Sequence, residues 1–268
     1  MKVFLTQLRA RSEDARENFR AVAKLIGRSR HRFSPDDMLV LPELIGGDSG
    51  RKDYEQSTID LAQRIGCHVV GGTYHQTNRG TTINSGIVAD SRGTIVAAYD
   101  KLRPYGIEGV LGVVPGKAVG QFEIKGCRVL ILVCADFWYS NVFIRQIRPR
   151  PDLILVPTFS ISRRSSPRMA RSLWRSMAIA RAYEFSVYVG ISDWAYPCEY
   201  HGSKSCSVAG LANPRPADDK GFFDRIGDRS LVKYELDLPR LRELRRHRNE
   251  HAFLSDEMLV DAYESGSS

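Results

Sequence analysis

The sequence predicts a layered α/β domain, and three observations predict it. Short apolar runs of strand length recur, such as "DMLVLP", "RVLILVC" and "PDLILVP", continuous enough to be buried on both faces. Segments with apolar residues at helical spacing alternate with them. The chain has 268 residues and is 43% hydrophobic, which supplies a proper core and argues against a disordered chain.

Taken in order, "KVFLTQL" reads as a strand. "SEDARENFRAVAKLIGRSR" reads as a helix with Ser12 as N-cap and Phe19, Val22, Ala23 and Ile26 on one face. A short buried strand, "DMLVLPE", precedes the helix "QSTIDLAQRIG", for which Gly66 is the C-cap. "CHVVGGTY", "INSGIVAD" and "TIVAAYDK" read as strands, the last two joined by a hairpin-type turn at "DSRG". "FEIKGCRVLILVC" reads as two strands around Gly126, with "FWYSNVFIRQI" continuing as a helix. Then come the strand "PDLILVP", the helix "SPRMARSLWRSMAIARAYEFS", the strands "VYVGISDW" and "SCSVAGLA", and a last strand leading into a basic helix started at Pro239. Strand pairs without an intervening helix, at 83–101 and 120–134, depart from a doubly wound pattern and predict a mixed sheet or two sheets. No repeat or low-complexity linker divides the chain, so 1–262 reads as a single domain and 263–268, "YESGSS", as a flexible tail.

Composition narrows the function classes. The net charge of +8 favours acidic partners only weakly, and no zinc-finger, helix-turn-helix or RNP-like pattern points to nucleic acid. Five cysteines, at 67, 127, 134, 198 and 206, form no C-x-x-C pair; an odd count in a chain of this size reads as reduced thiols in a cytosol. Cys67, Cys127 and Cys206 read as core and Cys198 as an exposed loop residue. The N-terminus has no signal-peptide core, and no apolar run reaches the length of a membrane span. The six histidines show no ligand spacing and read as surface imidazoles, so neither a metal nor another cofactor is expected.

Three residues share one structural position. Glu43 follows "MLVLP", Lys101 follows "TIVAAYD" and Cys134 follows "VLILV", each at the end of an apolar strand. Ligand-handling groups in α/β folds gather beyond the C-terminal ends of strands. A carboxylate as general base, an ammonium as oxyanion donor and a thiol as nucleophile would together make an acyl-transfer site. Singly, each reads as a turn or core residue; spacing alone does not show that they meet. "RLRELRRHR" reads as a charged outer helix face, and "GGDSG" at 46–50 as a loop beside Glu43.

The order of these motifs resembles the nitrilase superfamily, the carbon–nitrogen hydrolases. The resemblance rests on "LVLPEL", "YDKLRPYGIEG", "GCRVLILVCADF", "PDLILVPTFS", "AIARAYEFSVYVGIS" and "YELDLPRLRELRRH", and so runs over nearly the whole chain. It implies a four-layer α-β-β-α sandwich and a homodimer or larger even assembly. It implies Glu43 as base, Lys101 as oxyanion donor, Cys134 as nucleophile, the Ala135 N–H as a second oxyanion donor and Glu108 as a positioning carboxylate. Arg163 and Arg164, in the loop after "LVPTFS", are candidates for clamping an acidic substrate, with Arg168, Arg171 and Arg175 on a solvated helix face. "C-A-D" at 134–136, where true nitrilases tend to show C-W-E, is closer to the amidase and carbamoylase branches. Ala135, "LRPYG" after Lys101, and Phe185 where relatives often have Asn are departures that bear on substrate. The resemblance thus implies thiol-dependent hydrolysis of an amide or N-carbamoyl compound. A nitrilase, or an inert protein binding polyanions through its basic surface, is the alternative.

Overall fold

The computed structural model describes residues 1–146, 149–162, 166–218 and 220–255. Its strands are β1 (Lys2–Leu8), β2 (Met38–Val40), β3 (His68–Val70), β4 (Tyr74–Asn78), β5 (Thr81–Ala89), β6 (Ile95–Asp100), β7 (Gly120–Ile124), β8 (Cys127–Ile131), β9 (Leu153–Pro157), β10 (Tyr188–Trp194), β11 (Glu199–Tyr200), β12 (Ser203–Lys204), β13 (Gly210–Ala212), β14 (Phe223–Arg225) and β15 (Leu231–Glu235). The helices are α1 (Ala15–Arg28), α2 (Arg51–Ile65), α3 (Ile107–Val110), α4 (Ser140–Gln146), α5 (Arg168–Phe185) and α6 (Leu238–Glu250). Candidate tail 263–268, with the domain's end at 262, lies outside the described residues.

The fold is mixed α/β, built on a curled 13-stranded sheet. Parallel neighbours β3-β2-β1 and β10-β9-β8 form its two arms, joined where β1 pairs with β10 only at Gln7–Asp193 and Leu8–Trp194. Antiparallel β4, β5, β6 and β15 complete the first arm, and β7, β13 and β14 the second. The helix-free strand pairs read from the sequence are the hairpins β5–β6 and β7–β8. At the first, the Asp90 carboxylate accepts from Arg92 N and Thr94 N at 2.9 and 2.8 Å, which closes the "DSRG" turn.

Alternation along the first arm sorts its side chains between two cores. Phe4, Leu39 and Val69 pack with Phe19, Val22, Tyr54 and Leu61 of α1 and α2. Val3, Leu5, Val40 and Val70 share a core with Val129, Leu155, Val189 and Ile191 of the second arm, and with Trp174 and Ala178 of α5. At about 25 cal/mol per Å², such two-sided burial is the main favourable contribution to folding.

Local chemistry moves several boundaries. Asp14, not Ser12, caps α1, accepting from Arg16 N at 2.8 Å; Ser12 instead accepts from Asp14 N and donates to Glu17. "CHVVGGTY" is broken rather than one strand, because Gly72 takes φ +61 and a Cβ there would sit 2.0 Å from Pro42 O. "SCSVAGLA" is strand only at Gly210–Ala212, since Cys206 N and Val208 N are drawn to Ser160 and Asp193. Gly66 does cap α2, at φ +70. α6 begins at Leu238, with Asp237 accepting from Arg240 N at 2.9 Å. The basic helix is not wholly a solvated face either: Arg248 is buried and binds Tyr183 O and Ser186 Oγ at the end of α5. Cys198, expected exposed, is buried, as are the other four cysteines, all of them free thiols. Among the described residues no helix is long and apolar enough to cross a membrane.

Candidate active site

Each candidate reaches the site through a different strand end. Past β2, Leu44 takes φ +61 and its N–H donates to Thr73 Oγ1 at 2.9 Å, while Trp194 Nε1 donates to Glu43 O at 2.7 Å. These bonds fix the Glu43 backbone against β10. Past β6, Lys101 N donates to Asn84 O at 2.8 Å. Past β8 the chain turns sharply: Cys134 takes φ +45, a conformation a non-glycine residue adopts at a cost, and a single 3₁₀ turn, Cys134–Phe137, follows. The helix expected to continue from the cysteine is therefore interrupted and resumes only at Ser140. The cause is Asp136, whose buried carboxylate accepts from Leu102 N at 3.0 Å and Arg103 N at 2.7 Å, tying the lysine loop to the cysteine turn.

The side chains meet. Lys101 Nζ donates to Glu43 Oε1 at 2.6 Å and to Glu108 Oε2 at 2.5 Å. Asn84 Nδ2 donates to Glu43 Oε1 at 3.0 Å and Glu108 Oε1 at 2.7 Å, bridging the two carboxylates a second time. Phe159 N donates to Glu43 Oε2 at 2.8 Å, and the Cys134 thiol points at Phe159 O at 3.8 Å. Glu108, on the short helix α3, also accepts from Tyr105 N at 2.9 Å, and His75 Nε2 lies 3.7 Å from its Oε1. Glu43, Lys101, Glu108 and Cys134 are all buried, and all four line one cavity of about 470 Å³ together with Ala135.

Electrostatics divides the carboxylates. Burial raises the pKa of Glu43 above the ordinary carboxylate range, opposed by the Lys101 charge and reinforced by Glu108. Burial pushes Glu108 the same way, but the Lys101 charge, the nearby His75 ring and the hydrogen bonds from Lys101 and Tyr105 N outweigh it and hold Glu108 at about 2. The Cys134 thiol is driven well upward, by burial first and the Glu43 charge second, so it rests protonated beside a carboxylate. Burial opposes the Lys101 charge, yet the two carboxylates more than offset it and keep the ammonium. Burial raises Asp136 to about 6.

Sequence reasoning missed four contributors. Asn84 and Asp193 are fully buried polar residues in strands that also carry the apolar runs "GIVA" and "YVGI", and a polar residue near the end of such a run is the one signal that marks them. Asp193, fully buried, accepts from Ser160 Oγ at 2.5 Å and Ser160 N at 3.0 Å, holding the segment whose Phe159 peptide touches both Glu43 and Cys134. Asp136 gave no signal beyond its place after the cysteine. His75 was expected on the surface; the β4–β5 pairing turns it inward toward Glu108 and Tyr200. Arg163 and Arg164 lie outside the described residues. Among the described residues no group of three or more His, Cys, Asp and Glu side chains is arranged to hold a metal.

Comparison with known proteins gives a consistent assignment. The carbon-nitrogen hydrolase family profile matches residues 2–202. The 2-oxoglutaramate amidase of Bacillus subtilis (strain 168) is 28% identical over 167 residues, 57% of this chain and 61% of that protein's length. Among solved structures, Saccharomyces cerevisiae Nit3, of branch 10 of the nitrilase superfamily, superposes with a TM-score of 0.73 at 18% identity, over 92% of this chain and 93% of that one. An amidase of Nesterenkonia sp. AN1, a glutamate-to-glutamine mutant carrying acrylamide on its active-site cysteine, superposes with a TM-score of 0.71 at 19% identity, over 94% of this chain and 100% of that one.

Proposed function

Because the chain belongs to the carbon–nitrogen hydrolase family, we propose that it hydrolyses the non-peptide C–N bond of an amide or N-carbamoyl substrate through an acyl-thioester on Cys134. The observation that carries this reading is Lys101 Nζ, held between two buried carboxylates in the cavity that Cys134 also lines.

Glu43 takes the Cys134 proton; its raised affinity for protons suits a base that must also give the proton back. The thiolate attacks the carbonyl carbon. Lys101 Nζ and the Ala135 N–H hold the oxyanion, a role for which a fixed ammonium needs no reorganisation. The C–N bond breaks as Glu43 protonates the departing ammonia or amine. Water then gives a proton to Glu43, attacks the thioester carbonyl, and releases the acid with the thiol restored. Glu108 stays ionised and positions Lys101. The amidase activity named for the Bacillus relative supports the same reaction class. Homodimeric or larger even assembly belongs to the proposal, with light scattering as its test: chain mass alone would overturn it. So does a reducing cytosolic setting, suited to five free thiols.

The test is a panel of amides, carbamoyl amino acids and nitriles assayed for ammonia, with mass spectrometry of the quenched enzyme. Release of ammonia from an amide, with an acyl mass on Cys134, is the expected result. Full turnover by Cys134→Ala would overturn the mechanism. Ammonia from nitriles and none from the matching amides would select a nitrilase, and no turnover with salt-dependent nucleic-acid retention a binding protein.

A further inference from the structure

We infer, on the amide-hydrolase reading above, that the acyl group accepted by this site is uncharged, apolar and several carbons long. Charge comes first. Among the described residues the only ionic side chains lining the cavity are Glu43, Glu108 and Lys101, a formal sum of minus one if both carboxylates are ionised. Lys101 spends two of its three donors on those carboxylates, and the third is reserved for the oxyanion. No cation of the described lining is left to receive a second substrate charge. Two described guanidinium groups lie just behind lining rings: Arg11, 4.4 Å from the Tyr200 ring, is taken by both carboxylate oxygens of Glu13 and by Leu44 O, and Arg103, 5.6 Å from the Tyr139 ring, is exposed; neither side chain is part of the lining. An acyl group with its own carboxylate would be desolvated against this wall without a partner, which costs several kcal/mol.

Size and surface come second. About 470 Å³ falls in the range that drug-sized ligands occupy, and an acetyl group would leave most of it unfilled. The wall opposite the carboxylates is built from α5 and the turn after Cys134. Ala170, Leu173 and Trp174 lie at three- and four-residue spacing on one face of α5. Trp174 meets Trp138 edge-on at 5.3 Å and is backed by Phe137, stacked at 6.1 Å, so this wall is aromatic and rigid. Ala135, where a bulky residue would intrude, keeps the space beside the nucleophile open. At the mouth, Met169 and Leu173 remain 51% and 45% exposed, apolar surface that a long acyl chain would cover.

The experiment is a series from acetamide to hexanamide and phenylacetamide, set against 2-oxoglutaramate and succinamate as anionic amides and 6-aminohexanamide as a cationic one. The expected kcat/KM rises about fourfold per added methylene until the cavity is full. The charged amides should fall about tenfold or more below uncharged ones of like length. Leu173→Asp, at an exposed position, should flatten the series. Calorimetry of the same uncharged amides with Cys134→Ala reads binding without turnover, and Kd should fall by the same factor per methylene. A flat series in both readouts overturns the inference and leaves the hydrolase reading intact. So does a preference for anionic amides that is lost in Arg163→Ala or Arg164→Ala, or for the cationic amide. Graded binding of apolar amides without hydrolysis of any of them overturns the hydrolase reading and leaves this one intact.

Discussion

Two clusters of buried charge stand at opposite ends of the α5–sheet unit, and they behave differently. At the strand ends facing the cavity, Lys101 is shared by Glu43 and Glu108, so one formal negative charge is left over beside a strained cysteine. Where α6 packs on the last turn of α5, Arg245 pairs with Asp152 at 2.6 Å and donates to Ser186 O at 3.0 Å, while Arg248 binds Tyr183 O and Ser186 Oγ. There the cations meet a carboxylate and the negative end of a helix, and every partner is protein. Both clusters cost desolvation. Only the first faces a cavity, with two carboxylates set against a single ammonium. Burial of charge alone therefore does not single out a candidate site; burial beside a cavity, with more carboxylates than cations, does.

Substitutions should separate the two. Lys101→Ala removes the proposed oxyanion donor and should raise the barrier by about 2.7–4 kcal/mol, on the order of a hundred- to a thousandfold in kcat, with Cys134→Ala inactive and both still cooperatively folded by circular dichroism. Arg248→Met should do the reverse. It should lower unfolding stability by about 1.5–3 kcal/mol in urea titrations while kcat/KM stays within about twofold at a permissive temperature. Equal loss of activity in both would erase the distinction.

Acid and base sharpen it further. Glu108 sits at about 2, below its ordinary 4.5, so it binds fewer protons folded than unfolded; its contribution is present above 4.5 and is lost as pH falls toward 2. Glu108→Gln should shed less stability across that window than the parent protein. Asp193, raised to about 6 by burial against the hydrogen bonds of Ser160 and Val208 N, has the opposite sign. Its contribution is present below 3.8 and is lost as pH rises through 6, so Asp193→Asn should flatten that decline. The acid limb of kcat/KM should lie above the ordinary carboxylate range, reporting the coupled Glu43 and Glu108 pair rather than either alone. The smallest effect belongs to His75: His75→Phe removes one contact to Glu108 and should cut kcat/KM by about two- to tenfold, moving the acid limb with it, which simple loss of packing would not do.

How much of this was legible in the sequence differs by element. The β-α alternation, the Gly66 cap and the two hairpins follow from period and turn chemistry, which act over a few residues. The strand-end positions of Glu43, Lys101 and Cys134 were legible for the same reason, and their family order suggested convergence. The inward turn of His75 was not legible, because β4 is polar along both faces and its register is set by β5. Nor was the interrupted helix after Cys134, because Asp136 serves backbone N–H groups more than thirty residues earlier in the chain.

By itself, then, the sequence determined the class of fold and the identities of the groups that meet, since periodicity and residue type are local properties. Tertiary structure alone decided that Glu43 is pushed above and Glu108 held below the ordinary carboxylate range, that the thiol rests protonated, and that the cavity wall is aromatic. Each of those depends on dielectric, distance and shape among segments remote in the chain, quantities that exist only once the strands have paired and excluded water.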